Sequence, residues 1–183
     1  MPSGMVALEP MDKEFLKYSL AIFDIDGTLT EIKPEIKQKQ PRLVTPNHLG
    51  EQQPISGVVE KLAEIKANRI ELALATNRGG VAFGYTTLEQ AQALAQEAAD
   101  LCQIPDARIY LCPYHAKARG PRAVYKFTQE ADCRKPNPGM LLQAVADFHI
   151  TPQQAFFVGD KDSDHQAAEN AGMDFFWADD FFR

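Results

Sequence analysis

Apolar residues occur along the chain in short runs that are separated by longer segments of helical periodicity. Four runs are predicted strands, at residues 20–23, 70–76, 108–112 and 155–160, and residues 174–178 are a candidate fifth. Near-continuous apolar runs are typical of strands buried on both faces of a parallel sheet. The pattern therefore predicts a mostly parallel sheet in the core.

Helical spacing of apolar residues fills the segments between these runs. The predicted helices lie within residues 55–65, 86–103 and 141–148, and a fourth follows the last long strand. Thr86 and Glu89 have the spacing of a capping box, and Ser163 and Gln166 have the same spacing. Strands that alternate with helices predict an α/β fold with a doubly wound sheet flanked by helices.

Residues 31–54 depart from both patterns. The segment contains four prolines and little periodicity. We expect a long loop beside the first strand, and the alternative is a disordered insertion.

Polar residues follow three of the predicted strands. Asp24 and Asp26 end the first, residues 76–80 end the second, and residues 159–164 end the fourth. In a parallel sheet these ends meet at one edge, where α/β proteins bind ligands. Side chains at i and i+2 of a strand share a face, so the two aspartates repel each other unless a cation compensates them.

The chemistry of these residues indicates a site for a metal ion and a phosphoryl group. Asp24, Asp26 and Asp160 offer the hard oxygen ligands that suit magnesium, and an aspartate beside magnesium can act as a nucleophile. Thr76 and Asn77 can hydrogen-bond phosphoryl oxygens. Lys135, just before a predicted helix, can offset the negative charge of a phosphoryl group.

Each of these pieces also has a simpler interpretation. An Asp-x-Asp-Gly stretch is usually a turn, and acidic residues at 160–164 suit the start of a helix. Lys135 could be a surface lysine. The ordered set is what favours a catalytic site.

Four motifs carry a family resemblance: FDIDGTLT, LATNRGG, RKPNPGML and FFVGDKDSD. With them, the chain resembles phosphatases of the haloacid dehalogenase superfamily, subfamily III, from about residue 19 to the end. The resemblance implies a single domain at 19–183 without a separate cap domain, and an N-terminal extension at 1–18. It also implies magnesium as cofactor.

The resemblance implies a role for each matching residue. Asp24 is then the nucleophile and Asp26 the acid and base, while Thr76, the Asn77 backbone and Lys135 bind and stabilise the phosphoryl group. The implied magnesium ligands are Asp24, the Asp26 carbonyl and Asp160, with Asp164 supporting the metal site. Arg78 and Arg134, which adjoin the matching positions, are candidate substrate contacts. All of these residues are present in the sequence.

The acid at position 26 favours a phosphomonoesterase, because an alkoxide leaving group needs a proton. Neither gap between the motifs has the pattern of a cap domain, so we expect an open site. The leading hypothesis is a magnesium-dependent phosphomonoesterase that uses an aspartyl-phosphate and acts on a small phosphorylated metabolite, most simply a sugar phosphate. The alternatives are a polynucleotide end phosphatase and a catalytically silent phospho-ligand binder.

Residues 112–141 resemble the heptose bisphosphate and histidinol phosphatases, in which this loop folds on zinc through Cys-x-His and Cys-x-Cys. Here Cys112 and Cys133 match, but Tyr114 and Ala131 occupy the other two positions, and His115 is displaced by one residue. Structural zinc almost always has four ligands. We therefore expect a zinc-free loop with two free thiols, and we do not carry the relatives' substrate over.

Composition narrows the class of protein further. The 183 residues suit one domain, and the net charge of −6 makes nucleic acid an improbable partner. No apolar run approaches the length of a membrane span, and the N-terminus lacks the pattern of a signal peptide. The three cysteines suit reduced thiols in the cytoplasm, which is the expected location.

Overall fold

A computed structural model describes residues 13–182 of the chain. The strands are β1 (Leu20–Phe23), β2 (Thr30–Ile32), β3 (Gln52–Pro54), β4 (Glu71–Asn77), β5 (Arg108–Cys112), β6 (Ala155–Gly159) and β7 (Asp174–Trp177). Five of them form one sheet in the order β5-β4-β1-β6-β7, and every neighbouring pair in it is parallel. The predicted parallel sheet is confirmed, with strand ends within one residue of their predicted positions.

The helices are α1 (Pro34–Lys39), α2 (Val58–Ala67), α3 (Leu88–Leu101), α4 (Gly139–Asp147), α5 (Asp162–Ala171) and α6 (Ala178–Phe181). Short 3-10 helices lie at Lys13–Lys17, Tyr125–Phe127 and Pro152–Gln154. None of the helices within residues 13–182 combines the length and the apolar character that crossing a membrane requires.

Both predicted capping pairs are wrong by one or two residues. Thr87 caps α3, because its hydroxyl accepts the Gln90 amide and the Gln90 side chain accepts the Thr87 amide. At α5, the Asp164 carboxylate accepts the backbone N–H of Lys161, 3.1 Å away. Asp164 thus fixes the turn that joins β6 to α5.

Helices cover both faces of the sheet. Ala21 and Phe23 of β1 join a core cluster with side chains of α2, α3 and α6. Leu20 and Ile22 point to the opposite face and pack with α4 and α5. This alternation follows from the two-residue period of a strand, and it confirms the doubly wound architecture.

Aromatic rings fill much of the first of these clusters. Phe156 of β6 lies within 5.6 Å, between ring centroids, of the rings of Phe15, Tyr18, Phe176 and Phe181. Phe15 and Tyr18 precede the predicted domain start at residue 19, so the described part of the predicted N-terminal extension packs on the core. The rest of that extension, residues 1–12, lies outside the described residues.

The segment at 31–54 is not the loop without secondary structure that the sequence predicts. β2 and β3 pair antiparallel, and α1 lies between them. Buried Gln52 accepts a hydrogen bond from the Thr30 hydroxyl at 3.0 Å and donates to the Leu94 carbonyl and to Glu97 on α3. Polar contacts, which leave no apolar periodicity in the sequence, hold the segment against the domain.

Truncation of Phe156 should destabilise the protein strongly. Phe156→Ala removes a fully buried ring with at least four aromatic neighbours, so we expect a loss of about 3–5 kcal/mol in the free energy of unfolding. Urea unfolding measures it. Tyr125→Ala is the control, because Tyr125 is 77% exposed and its loss should cost under about 0.5 kcal/mol. Equal effects from the two variants would contradict this description of the core.

Candidate active site

The carboxyl ends of β1, β4 and β6 meet at one edge of the sheet. Phe23 is in register with Leu74 of β4 and Val158 of β6, and the Asp24 amide donates to the Val158 carbonyl at 2.9 Å. The polar residues that follow the three strands are therefore neighbours. The convergence predicted from the sequence is observed.

Lys135 lies at the centre of this edge. Its ammonium is 2.7 Å from Oδ1 of Asp24 and 2.6 Å from Oδ1 of Asp164, and it donates to the Ala75 carbonyl at 2.9 Å. The side chain is 3% exposed, so it is not a solvated surface lysine. A buried cation in this position compensates two carboxylates at once.

The charge of Asp24 is stabilised in spite of its burial. Burial by itself raises the pKa of this carboxyl, but the Lys135 and Lys161 ammonium groups outweigh it, so the pKa lies below its ordinary value. Asp24 is consequently a carboxylate at neutral pH. An ionised carboxylate is the form that a nucleophile requires.

Asp26 has a different partner. The Arg78 guanidinium faces its carboxylate with both terminal nitrogens, at 3.0 Å and 3.3 Å, and both side chains are buried. Burial raises the pKa of the Asp26 carboxyl, Arg78 lowers it and Asp24 raises it, and the net direction is upward. Arg78, a candidate substrate contact in the sequence, thus directs its charge towards Asp26.

Three carboxylates form a cluster that fits a hard metal ion. Oxygen atoms of Asp24, Asp160 and Asp164 all lie within 4.8 Å of one another. A Cβ at Gly27, whose φ is +87°, would overlap the Asp160 carboxylate, so glycine permits this close approach. Burial and the neighbouring Asp24 charge raise the pKa of Asp164, and the same two influences act on Asp160. A cation would relieve that repulsion, and oxygen ligands suit magnesium.

Thr76 and Asn77 occupy the end of β4 beside Lys135. The Thr76 hydroxyl is buried and has no hydrogen-bond partner among the described residues, so it is free to donate to a ligand. The Asn77 side chain donates to the Lys135 carbonyl at 3.0 Å and accepts the Lys135 amide at 3.1 Å. The strand end therefore fixes the backbone that carries the lysine.

Arg134 and His115 lie at the rim of the same edge. The Arg134 guanidinium donates to the Tyr114 carbonyl at 3.0 Å. A Cβ built on Gly79 would come within 2.9 Å of the His115 ring and 3.1 Å of the guanidinium. Burial and the charges of Arg134 and Lys117 lower the pKa of His115, so its ring is neutral at pH 7. The Arg134 guanidinium beside a phosphoryl site suits an anionic ligand.

Lys161 is a site residue that sequence reasoning missed. Its ammonium lies 3.1 Å from the Asp26 carbonyl oxygen, 3.2 Å from Oδ1 of Asp160 and 3.7 Å from Oδ2 of Asp24. The signal in the sequence was a basic residue inside the acidic motif GDKDSD.

Comparison with known proteins finds relatives of this chain. The HAD-hydrolase-like family model matches residues 132–178. A D-glycero-beta-D-manno-heptose-1,7-bisphosphate 7-phosphatase of Pasteurella multocida is 40% identical over 121 residues, which cover 64% of this chain and 62% of that protein. The Escherichia coli K12 protein of the same name is 38% identical over 123 residues, which cover 65% of this chain and 62% of that protein.

A solved structure agrees with the sequence relatives. The crystal structure of a D,D-heptose 1,7-bisphosphate phosphatase from B. bronchiseptica, complexed with magnesium and phosphate, matches with a TM-score of 0.63 and 26% identity, over 86% of this chain and 78% of that one. The chain is therefore similar to phosphatases of the haloacid dehalogenase (HAD) superfamily in both sequence and fold. The matches to the two curated relatives span less than two thirds of their length.

The cysteine loop differs from the prediction of two free thiols. Cys112 at the end of β5 and Cys133 just before Arg134 form a disulfide, with Cα atoms 5.5 Å apart. Tyr114 and Ala131, at the remaining zinc-ligand positions of the resembled families, pack against the core instead. Sequence spacing could not show that β5 and the lysine motif approach so closely. Cys102 remains a free thiol, and burial raises its pKa to about 12.

A cavity of about 150 Å³ adjoins the HAD motifs. Thr45, Pro46 and Asn47 of the inserted segment line one wall, and residues 77–80 after β4 line another. A cavity of about 300 Å³ lies at the opposite edge of the sheet, around Ile70 and Glu71, away from the aspartates. The insertion therefore reaches the candidate site and can contact a ligand there.

Replacement of Arg78 should change the titration of Asp26. Arg78→Met removes the largest influence that lowers the pKa of Asp26 and leaves burial and the Asp24 charge opposed only by the smaller effects of Lys161 and Lys135, so this pKa should rise further. Carboxyl ¹³C NMR titration in metal-free buffer measures it. Arg78→Lys keeps the positive charge but loses the bidentate contact, so the rise in the pKa of Asp26 should be smaller. An unchanged or lowered pKa in Arg78→Met would contradict the pairing.

The disulfide predicts a specific thiol count. Protein purified and denatured without reductant should react with one equivalent of Ellman's reagent, from Cys102, and with three equivalents after reduction. Elemental analysis should find no stoichiometric zinc, as the sequence predicts. Three reactive thiols before reduction together with one zinc per chain would show instead that thiolates hold a metal.

Proposed function

We propose that this protein is a magnesium-dependent phosphomonoesterase that forms an aspartyl-phosphate on Asp24 and acts on a small phosphorylated metabolite of the sugar phosphate class. The observation that carries the proposal is the contrast between two neighbouring aspartates. Asp24 is paired with Lys135 and has a lowered pKa, whereas Asp26 is paired with Arg78 and has a raised one. Two carboxyl groups whose pKa values are pushed apart suit a nucleophile and an acid.

In the first step the Asp24 carboxylate attacks phosphorus. A bond forms between its oxygen and phosphorus, and the bond from phosphorus to the ester oxygen breaks. Asp26 gives its proton to the departing oxygen, so that an alcohol leaves instead of an alkoxide. The Lys135 ammonium, 2.7 Å from Asp24, and the unpartnered Thr76 hydroxyl stabilise the charge on the phosphoryl oxygens.

In the second step Asp26, now a carboxylate, takes a proton from a water molecule that attacks the same phosphorus. The acyl–phosphate bond breaks, inorganic phosphate leaves, and Asp24 is restored as a carboxylate. One residue therefore serves first as acid and then as base, and its alternation returns the site to its starting protonation state.

Asp24, Asp160 and the Asp26 carbonyl would hold magnesium, with Asp164 supporting the site. When bound, the ion supplies positive charge beside the phosphoryl oxygens and the nucleophile. Because Asp26 would contribute its backbone carbonyl to the metal site, its carboxyl group stays able to carry a proton.

A sugar phosphate is proposed because the curated relatives are named as heptose bisphosphate phosphatases. The half-buried Arg134 at the rim of the site suits a substrate with a second anionic group. The cavity at residues 45–47 lies on the Arg78 side of the site, where the leaving group would depart towards Asp26. The inserted segment forms one wall of this cavity.

A phosphate-release screen tests the proposal and its alternatives. The panel contains sugar mono- and bisphosphates, amino-alcohol phosphates, nucleotides and 5′- and 3′-phosphorylated oligonucleotides. We expect turnover of sugar phosphates that stops in excess chelator and returns with added magnesium. A preference for oligonucleotide ends would identify an end phosphatase, no turnover would indicate a silent binder, and full activity in chelator would overturn the metal requirement.

Substitution of the two aspartates should have different effects. Asp24→Asn should eliminate the acyl-phosphate, detected by mass spectrometry after acid quench, and leave essentially no turnover. Asp26→Asn should slow alkyl phosphates by about 10²–10⁴-fold but slow p-nitrophenyl phosphate less, because nitrophenolate leaves without a proton. Wild-type turnover in Asp24→Asn, or equal losses for both substrates in Asp26→Asn, would contradict the division of roles.

A further inference from the structure

The side chain of Lys161 enters the carboxylate cluster from outside. Its backbone lies between β6 and α5, and its side chain is 56% exposed, unlike the buried Lys135. The ammonium nonetheless contacts oxygens of Asp24, Asp26 and Asp160 at 3.1–3.7 Å. More than half of the side-chain surface is therefore exposed, although the ammonium lies at the acidic cluster.

The three oxygens that Lys161 contacts come from the same three residues that the proposed function assigns to the metal ion. An ammonium and a divalent cation cannot share these oxygens, since they would meet at short range with like charges. One of the two must leave when the other binds.

We propose that Lys161 is a tethered cation that competes with the metal ion for this cluster. Without metal, its ammonium compensates the carboxylates and keeps the cluster assembled. Metal binding displaces it into solvent. The inference rests on the metal site of the proposed function, and it assigns a role to a residue that the proposed reaction does not use.

Formal charge supports such an exchange. The carboxylates of Asp24, Asp160 and Asp164 face the ammonium groups of Lys135 and Lys161, and the separate pair of Asp26 and Arg78 is not included in this count. With both lysines in place the cluster retains one negative charge. Exchange of Lys161 for a divalent cation brings the cluster to neutrality, so the charge balance favours the exchange.

The two lysines differ in how readily they can leave. Lys135 is held by the Ala75 carbonyl as well as by two carboxylates, and its side chain is only 3% exposed. Lys161 has an exposed stem. Its backbone amide, and not its side chain, makes the contact with Asp164 that starts α5. Displacement of the Lys161 ammonium therefore leaves the fold intact.

Competition of this kind lowers the apparent affinity for the metal, because binding must first release the ammonium. Removal of the charge should therefore tighten metal binding while it destabilises the metal-free protein. These opposite effects distinguish a competitor from a metal-supporting or merely structural residue, whose loss would weaken binding or change nothing.

The test uses Lys161→Met, which keeps an unbranched stem without the charge. Isothermal titration calorimetry with MgCl₂ alone measures affinity, and thermal unfolding is followed in EDTA and in saturating magnesium. We expect magnesium to bind on the order of tenfold more tightly than to wild type. We also expect a lower midpoint in EDTA and a larger increase on adding magnesium.

Lys66→Met is the matched control, since it makes the same change in net charge at an exposed position of α2. Its magnesium affinity should equal that of wild type. Lys161→Gln provides a second uncharged variant if the methionine variant does not fold, and Lys161→Arg, which keeps the charge, should retain the weaker binding.

Equal or weaker magnesium binding in the uncharged variants would overturn the competition, while normal binding and phosphate release by wild type would leave the proposed function in place. If neither wild type nor variants bound magnesium, the proposed metal site and the competition would both be wrong.

Discussion

Burial of several carboxylates at the end of a hydrophobic strand is the constraint on which the rest of this structure depends. Asp24 directly follows β1, whose four residues are fully buried. A carboxylate in that position is costly unless cations and hydrogen bonds compensate it. Lys135 meets most of this requirement, and it can do so only because the chain between β5 and α4 returns to the end of β1.

The parallel sheet makes that return possible. Strand order places β1 between β4 and β6, so that residues from both neighbours flank Asp24. Strand β4 then holds Lys135 through the Asn77 side chain and the Ala75 carbonyl, while Asp160 directly follows β6 and Asp164 lies in the first turn of α5. Two glycines allow the close approach, since a Cβ at Gly27 would meet Asp160 and one at Gly159 would meet Asp164. The small residues in the motifs are consequences of this packing.

The features that sequence could predict are those with a local signature. Apolar runs gave the strands, and polar residues after them located the site, because parallel pairing determines where strand ends meet. The order of the 31–54 segment depends on Gln52 contacts with α3, and the disulfide depends on the approach of Cys133 to β5. Both are tertiary contacts between residues far apart in the chain, without a periodic signal. Lys161 was overlooked because a lysine beside acidic residues is ordinarily a solvated surface group.

The two carboxylates can lie one residue apart because each is paired with a different cation. Lys135 presents a compact charge, which also reaches Asp164, whereas Arg78 presents a planar fork that matches the Asp26 carboxylate alone. The negative charge of Asp24 also raises the pKa of Asp26, so ionisation of the first aspartate favours a proton on the second. Their proximity, which is a liability when only the sequence is considered, thereby keeps one carboxyl group ionised and allows its neighbour to hold a proton. Lys161 then acts on the outer side of the same cluster, where a mobile charge can be exchanged without disturbing the inner pair.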